Sequence, residues 1–77
     1  MSHGTIDRLV YMANQISKAF AHDPEPKAVD EISNHLRKFW EKRMLAAIFA
    51  HLDAGGEGMD PLAKLAVAAL QRNAQPA

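Results

Sequence analysis

The chain has 77 residues, nine basic and nine acidic side chains, and no cysteine. A chain of this length forms one domain that buries only about 60% of the surface it exposes when unfolded, and with no thiols it lacks both disulfides and thiolate metal ligands to reinforce a thin core. A formal charge of zero removes the global attraction to phosphate that nucleic-acid binders carry, and the longest uncharged apolar run, Met44 to Ala50, is far too short to cross a bilayer.

Hydrophobic residues make up 48% of the chain and aromatics only 6%, which favours aliphatic helix packing over a β-sandwich. The first residues, Met-Ser-His-Gly-Thr, show neither a basic leader nor an apolar segment, so a cytoplasmic protein is expected.

The first helix is expected to start at Thr5, whose hydroxyl suits an N-cap, with Asp7 at the positive end of the helix dipole. Ile6, Leu9, Val10, Ala13, Ile16 and Phe20 recur at three- and four-residue spacing and fall on one stripe, leaving Tyr11 and Gln15 on the far side. The pattern stops near Ala21, where the prolines of His22-Asp23-Pro24-Glu25-Pro26 force the chain out of helical geometry.

A second helix is expected to open near Pro26 or Lys27, with Asp30 and Glu31 early and Arg37 and Lys38 late, an order that favours the dipole. Its core face reads Val29, Ile32, Leu36 and Phe39, and helical continuation puts Trp40 at the edge of that stripe, stacked beside Arg37. Continuing further would carry Arg43 into the apolar stripe, where an unpaired charge is too costly. The helix must therefore bend or end between Glu41 and Arg43, or Arg43 must meet an acid.

Met44, Leu45, Ile48, Phe49 and Leu52 describe a third helix, closed by the glycines of Asp53-Ala54-Gly55-Gly56-Glu57-Gly58. Asp60-Pro61 supplies an N-cap followed by proline at the first helical position, and Leu62, Leu65, Ala66, Ala69 and Leu70 form the last stripe. Residues 1–4 and 71–77 are expected to be flexible. The fold class is therefore all-α, a small bundle of about four short amphipathic helices forming a single domain.

No residue set here performs chemistry. None of the four histidines stands at a zinc-site spacing, and Gly55-Gly56-Glu57-Gly58 follows a helix and lacks the Lys-Ser/Thr ending of a phosphate loop. His35 and His51 read as partly buried or capping residues, Asn14 and Gln15 as helix polar residues in ordinary surface or capping interactions, and Met12, Met44 and Met59 as packing. The informative stretch is His35-Leu36-Arg37-Lys38-Phe39-Trp40-Glu41-Lys42-Arg43-Met44, which holds the only tryptophan and four of the nine basic residues against one acid. Lys38 and Lys42 read first as cations complementing a helix dipole, whereas Trp40 beside Arg37 and Arg43 has the composition of an interface anchor. The expected partner-binding set is His35, Arg37, Lys38, Trp40 and Arg43.

The run His35-Leu36-Arg37-Lys38-Phe39-Trp40 with Arg43-Met44, preceded by Met12-Ala13-Asn14-Gln15-Ile16 and followed by Ala54-Gly55-Gly56 and Asp60-Pro61-Leu62, resembles the delta subunit of NAD-dependent, molybdenum-containing formate dehydrogenase. The resemblance covers nearly the whole chain in the same order. It departs where that family usually follows the tryptophan with Asp-Pro, since Glu41-Lys42 stands here. It implies a non-catalytic accessory subunit that docks on the large molybdenum subunit and supports its assembly or stability. It also implies that formate oxidation by NAD+ occurs on other subunits, which hold the molybdenum cofactor, iron-sulfur clusters and FMN. This chain is expected to bind none of these. The other readings are a transient chaperone for cofactor insertion and a small helical nucleic-acid-binding module, the latter disfavoured by neutral charge.

Overall fold

Apolar residues at helical spacing, interrupted by two prolines, one sharp bend and a glycine cluster, fold into four helices in the computed structural model, which describes residues 4–74. These are α1 (Gly4–Phe20), α2 (Glu25–Phe39), α3 (Lys42–Asp53) and α4 (Pro61–Ala74). Among the described residues there is no strand, so the all-α bundle expected from periodicity is the observed one. Thr5 is not the N-cap, because α1 already includes Gly4 and Thr5. Residues 1–3 and 75–77 lie outside the described residues, and α4 extends a turn past the end of its apolar stripe at Leu70.

The core gathers Leu9 and Ala13 from α1, Ala28, Ile32 and Leu36 from α2, Ile48 from α3, and Ala63, Ala66, Val67 and Leu70 from α4. The most extensive pairing is between α2 and α4. Ala28, Ala63 and Ala66 are fully buried on those two helices, and side chains this small permit close backbone approach. The stripe of α4 is rotated from its expected position. Ala63 and Val67 face inward with Ala66 and Leu70, while Leu65 is 44% exposed.

The end of α3 follows the chemistry of its glycines. The Gly56 amide donates to the His51 carbonyl at 2.8 Å and the Gly55 amide to that of Leu52 at 3.0 Å, the paired bonds of a Schellman cap. Gly55 and Gly56 have φ of 121° and 65°, a region that side chains disfavour. An added Cβ at Gly56 would also stand 3.0 Å from Lys64 Cε and 3.3 Å from Leu52 Cδ1, so those side chains would have to shift by a few tenths of an ångström.

Asp60 caps α4 as expected: its Oδ1 accepts from the Ala63 amide at 2.8 Å, with Pro61 at the first helical position. The same oxygen accepts from the Ser17 hydroxyl at 2.9 Å, and Ser17 is only 2% exposed. Asn14 completes this clamp between α1 and the α3–α4 loop. Its Nδ2 donates to the Gly58 carbonyl and its Oδ1 accepts from the Asp60 amide, both at 2.9 Å. Asn14 is therefore not an ordinary surface polar residue. It satisfies two backbone groups of the α3–α4 loop.

Asn14→Ala removes both bonds at once. We expect it to destabilise the fold by about 2 kcal/mol, measured by urea denaturation. Ser33→Ala should cost less than about 1 kcal/mol, since that hydroxyl bonds only the Asp30 carbonyl of its own helix. Equal losses would remove the clamp from the account.

Candidate docking surface

The junction between α2 and α3 decides what the basic stretch presents. Helix α2 ends at Phe39, and Trp40 takes extended geometry, φ −91° and ψ 139°, while its amide still donates to the Leu36 carbonyl at 2.9 Å. Glu41, at φ −71° and ψ 157°, precedes the first turn of α3, and its carbonyl accepts from the Leu45 amide at 3.0 Å. The chain thus ends one helix and begins another. That relieves the conflict at Arg43, which is exposed on α3 rather than forced into the apolar stripe of α2.

The same break reverses the expected places of the two aromatic rings. Trp40 is 7% exposed and belongs to the core, whereas Phe39 is 69% exposed. Helical periodicity put Trp40 at the edge and Phe39 inside, but periodicity holds only while φ and ψ stay helical. At Trp40 they do not, and the indole turns inward. Phe39, in the last helical position, packs instead on the His35 ring one turn back, with centroids 4.8 Å apart and planes tilted by 44°. The expected stacking of Arg37 on the indole is likewise absent. Arg37 Nη2 donates to Asn34 Oδ1 at 3.0 Å on the exposed face of α2.

Phe39, Arg37, Lys38, Lys42 and Arg43 are all exposed, and His35 is half-buried against the phenyl ring. Phe39, His35, Lys38 and the half-buried Phe20 border a shallow depression of about 140 Å³. Among the described residues none of the four cations forms an ion pair within 4.0 Å, the one pair present being His22 with Asp23 at 3.5 Å. These charges are left for solvent or for another molecule.

Among the described residues no group of three or more His, Asp or Glu side chains converges on a metal-sized site, and no buried side-chain nitrogen or oxygen lacks a hydrogen-bond partner. His51 does not bond the last carbonyls of its own helix; its Nε2 meets the Glu57 carbonyl at 2.7 Å and fastens the following loop. No described helix is long and apolar enough to cross a membrane.

A family model described as the NADH-dependent formate dehydrogenase delta subunit, FdsD, matches residues 8–67. The chain belongs to that family. The match runs from the first turns of α1 into α4 and takes in the whole α2–α3 junction. No characterised protein sequence and no solved structure showed significant similarity to the chain. Membership in the delta-subunit family makes this a component of a formate dehydrogenase complex, with other subunits as its implied partners.

The usual Asp-Pro of the delta-subunit family maps onto the N-cap and first turn of α3, the places where Asp and Pro are favoured. Here Glu41 makes no side-chain cap bond and the first turn of α3 holds no acid. The break nevertheless forms, held by the buried indole. The backbone of Glu41 already has the extended geometry that precedes proline. The double change Glu41→Asp with Lys42→Pro should therefore stabilise the fold by about 1 kcal/mol, read as a rise in melting temperature of about 4–8 °C. A fall would show that the present junction has a geometry incompatible with that cap.

Proposed function

We propose that this chain is a non-catalytic accessory subunit of a heteromeric NAD-dependent formate dehydrogenase, docking on the large molybdenum-bearing subunit and supporting its assembly or stability. In this reading the molybdenum cofactor, iron-sulfur clusters and FMN stand in the other chains. The observation that carries the reading is the exposed Phe39 ring, which shares a shallow depression with Lys38, in a chain whose family is a dehydrogenase subunit. An exposed aromatic ring on a stretch that also carries Arg37 and Arg43 has the composition of a binding hot spot.

Among the residues expected to bind the partner, Arg37, Lys38 and Arg43 make the contact in this proposal and His35 backs the Phe39 ring. Trp40 moves from contact to support, because it fixes the turn that presents Phe39. Small size fits the same role. A chain of this length has a thin core, and association with a partner adds stability by mass action.

Co-expression with the large subunit, followed by purification through a tag on this chain, tests the proposal. Retention of the large subunit at a fixed ratio in active enzyme is expected, whereas its loss in the purified fraction would contradict docking. Presence only in immature enzyme lacking cofactor would instead mark a chaperone.

A further inference from the structure

Away from the Phe39 surface, a second cleft of about 610 Å³ opens between α1 and the α3–α4 loop. Its apolar side is Ile6, Val10 and Tyr11, and Tyr11 is 65% exposed. Asp7 and Glu57 also line it, and no lysine or arginine does. Among the described residues neither acid has an ion-pair partner. The walls are preformed, since Asn14 holds the Gly58 carbonyl at 2.9 Å and His51 holds that of Glu57 at 2.7 Å. A preformed groove binds with little ordering cost.

We infer that this cleft takes a lysine- or arginine-bearing segment of another polypeptide in the complex, whose cation meets Asp7 and Glu57 while its stem lies on Ile6, Val10 and Tyr11. The inference rests on the proposed subunit role. Charge complementarity selects the occupant: two unpaired carboxylates repel an acidic segment and attract a basic one. The exposed face of Tyr11 suits the same guest, because a guanidinium or ammonium group is attracted to an aromatic ring. A second copy of this chain fits less well. Its basic end is a different surface from the cleft, and such head-to-tail contacts propagate into open chains unless a rotation closes them.

The two surfaces are also well separated. Arg43 and His51 lie eight residues apart on α3, about 12 Å along the helix axis. The chain therefore presents a basic aromatic surface at one end of α3 and an acidic aromatic cleft at the other, so that it can be held on two sides.

The test replaces Tyr11 with photo-reactive p-benzoylphenylalanine in the co-expressed, assembled complex, and Phe39 in a parallel sample. Irradiation at position 11 should join this chain to a lysine- or arginine-bearing segment of another subunit. Adding Asp7→Lys and Glu57→Lys should lower that yield about tenfold or more with the circular dichroism spectrum unchanged. No product from position 11, a product with a second copy, or a product on a segment without basic residues would overturn the inference. Position 39 reports separately on the subunit reading. A product from 39 with none from 11 leaves docking intact and removes the second cleft, whereas no product from either position removes both.

Discussion

Trp40→Ala is expected to abolish or nearly abolish independent folding, with a loss of about 3–5 kcal/mol. A domain of this size has a total stability of about 4–12 kcal/mol, so the substitution removes a large share of it. The indole is 7% exposed within the cluster that joins all four helices. The residue also fixes the extended turn between α2 and α3, so truncation loosens the junction as well as opening a cavity. Trp40→Phe keeps most of the apolar volume and should cost about half as much or less. Thermal and urea unfolding followed by circular dichroism measure both. If Trp40→Ala unfolds at the wild-type midpoint yet loses its partner, the indole is a contact residue and its assignment to the core is wrong.

Phe39→Ala should do the reverse. With the ring 69% exposed, truncation should change stability by less than about 0.5 kcal/mol, while docking on the large subunit should weaken by about 2 kcal/mol, roughly thirtyfold in Kd. The separation of effects matters more than either number. Adjacent aromatic residues, one in the core and one outside, should give one variant that fails to fold and one that folds but fails to bind. Calorimetric titration of the purified large subunit with each variant, beside its melting curve, makes the comparison. Binding by Phe39→Ala at wild-type affinity would show that this face is not the docking surface.

Much of the fold was legible in the residues themselves. Two prolines after Ala21, the paired glycines after Asp53 and the Asp60-Pro61 step each act through local backbone chemistry, and each marks a helix boundary within one or two residues of its observed place. Side-chain direction was less legible wherever it depended on a neighbour. The α4 stripe is rotated toward Ala63 and Val67, a direction no hydropathy pattern in α4 alone contains. Asn14 reads as a helix-surface or capping polar residue, and nothing in the pattern singles out Ser17. Their partners, Gly58 and Asp60, stand more than forty residues away in sequence, so nothing local revealed the clamp.

At the candidate site the error and its remedy were in the same stretch. The charge conflict at Arg43 left two outcomes, a break around Glu41 to Arg43 or an acid beside Arg43, and the chain breaks at Trp40 and Glu41. A break there also invalidates the helical projection of Trp40, and carrying that consequence one residue back would have exchanged the places of the two rings. The family resemblance fixed the kind of partner without fixing which side chains face it, because a motif records residue types and not their directions.

The most direct test of docking through the Phe39 face uses the absence of cysteine from the chain. Lys38→Cys and, as a control at the far end of α4, Asn73→Cys are each alkylated with a maleimide in the free chain and in the assembled dehydrogenase, and the two rates are compared. Both positions are exposed in the isolated chain. Docking through Phe39 predicts that assembly slows labelling at position 38 about tenfold or more relative to position 73; equal rates at position 38 in the free and assembled states would contradict it.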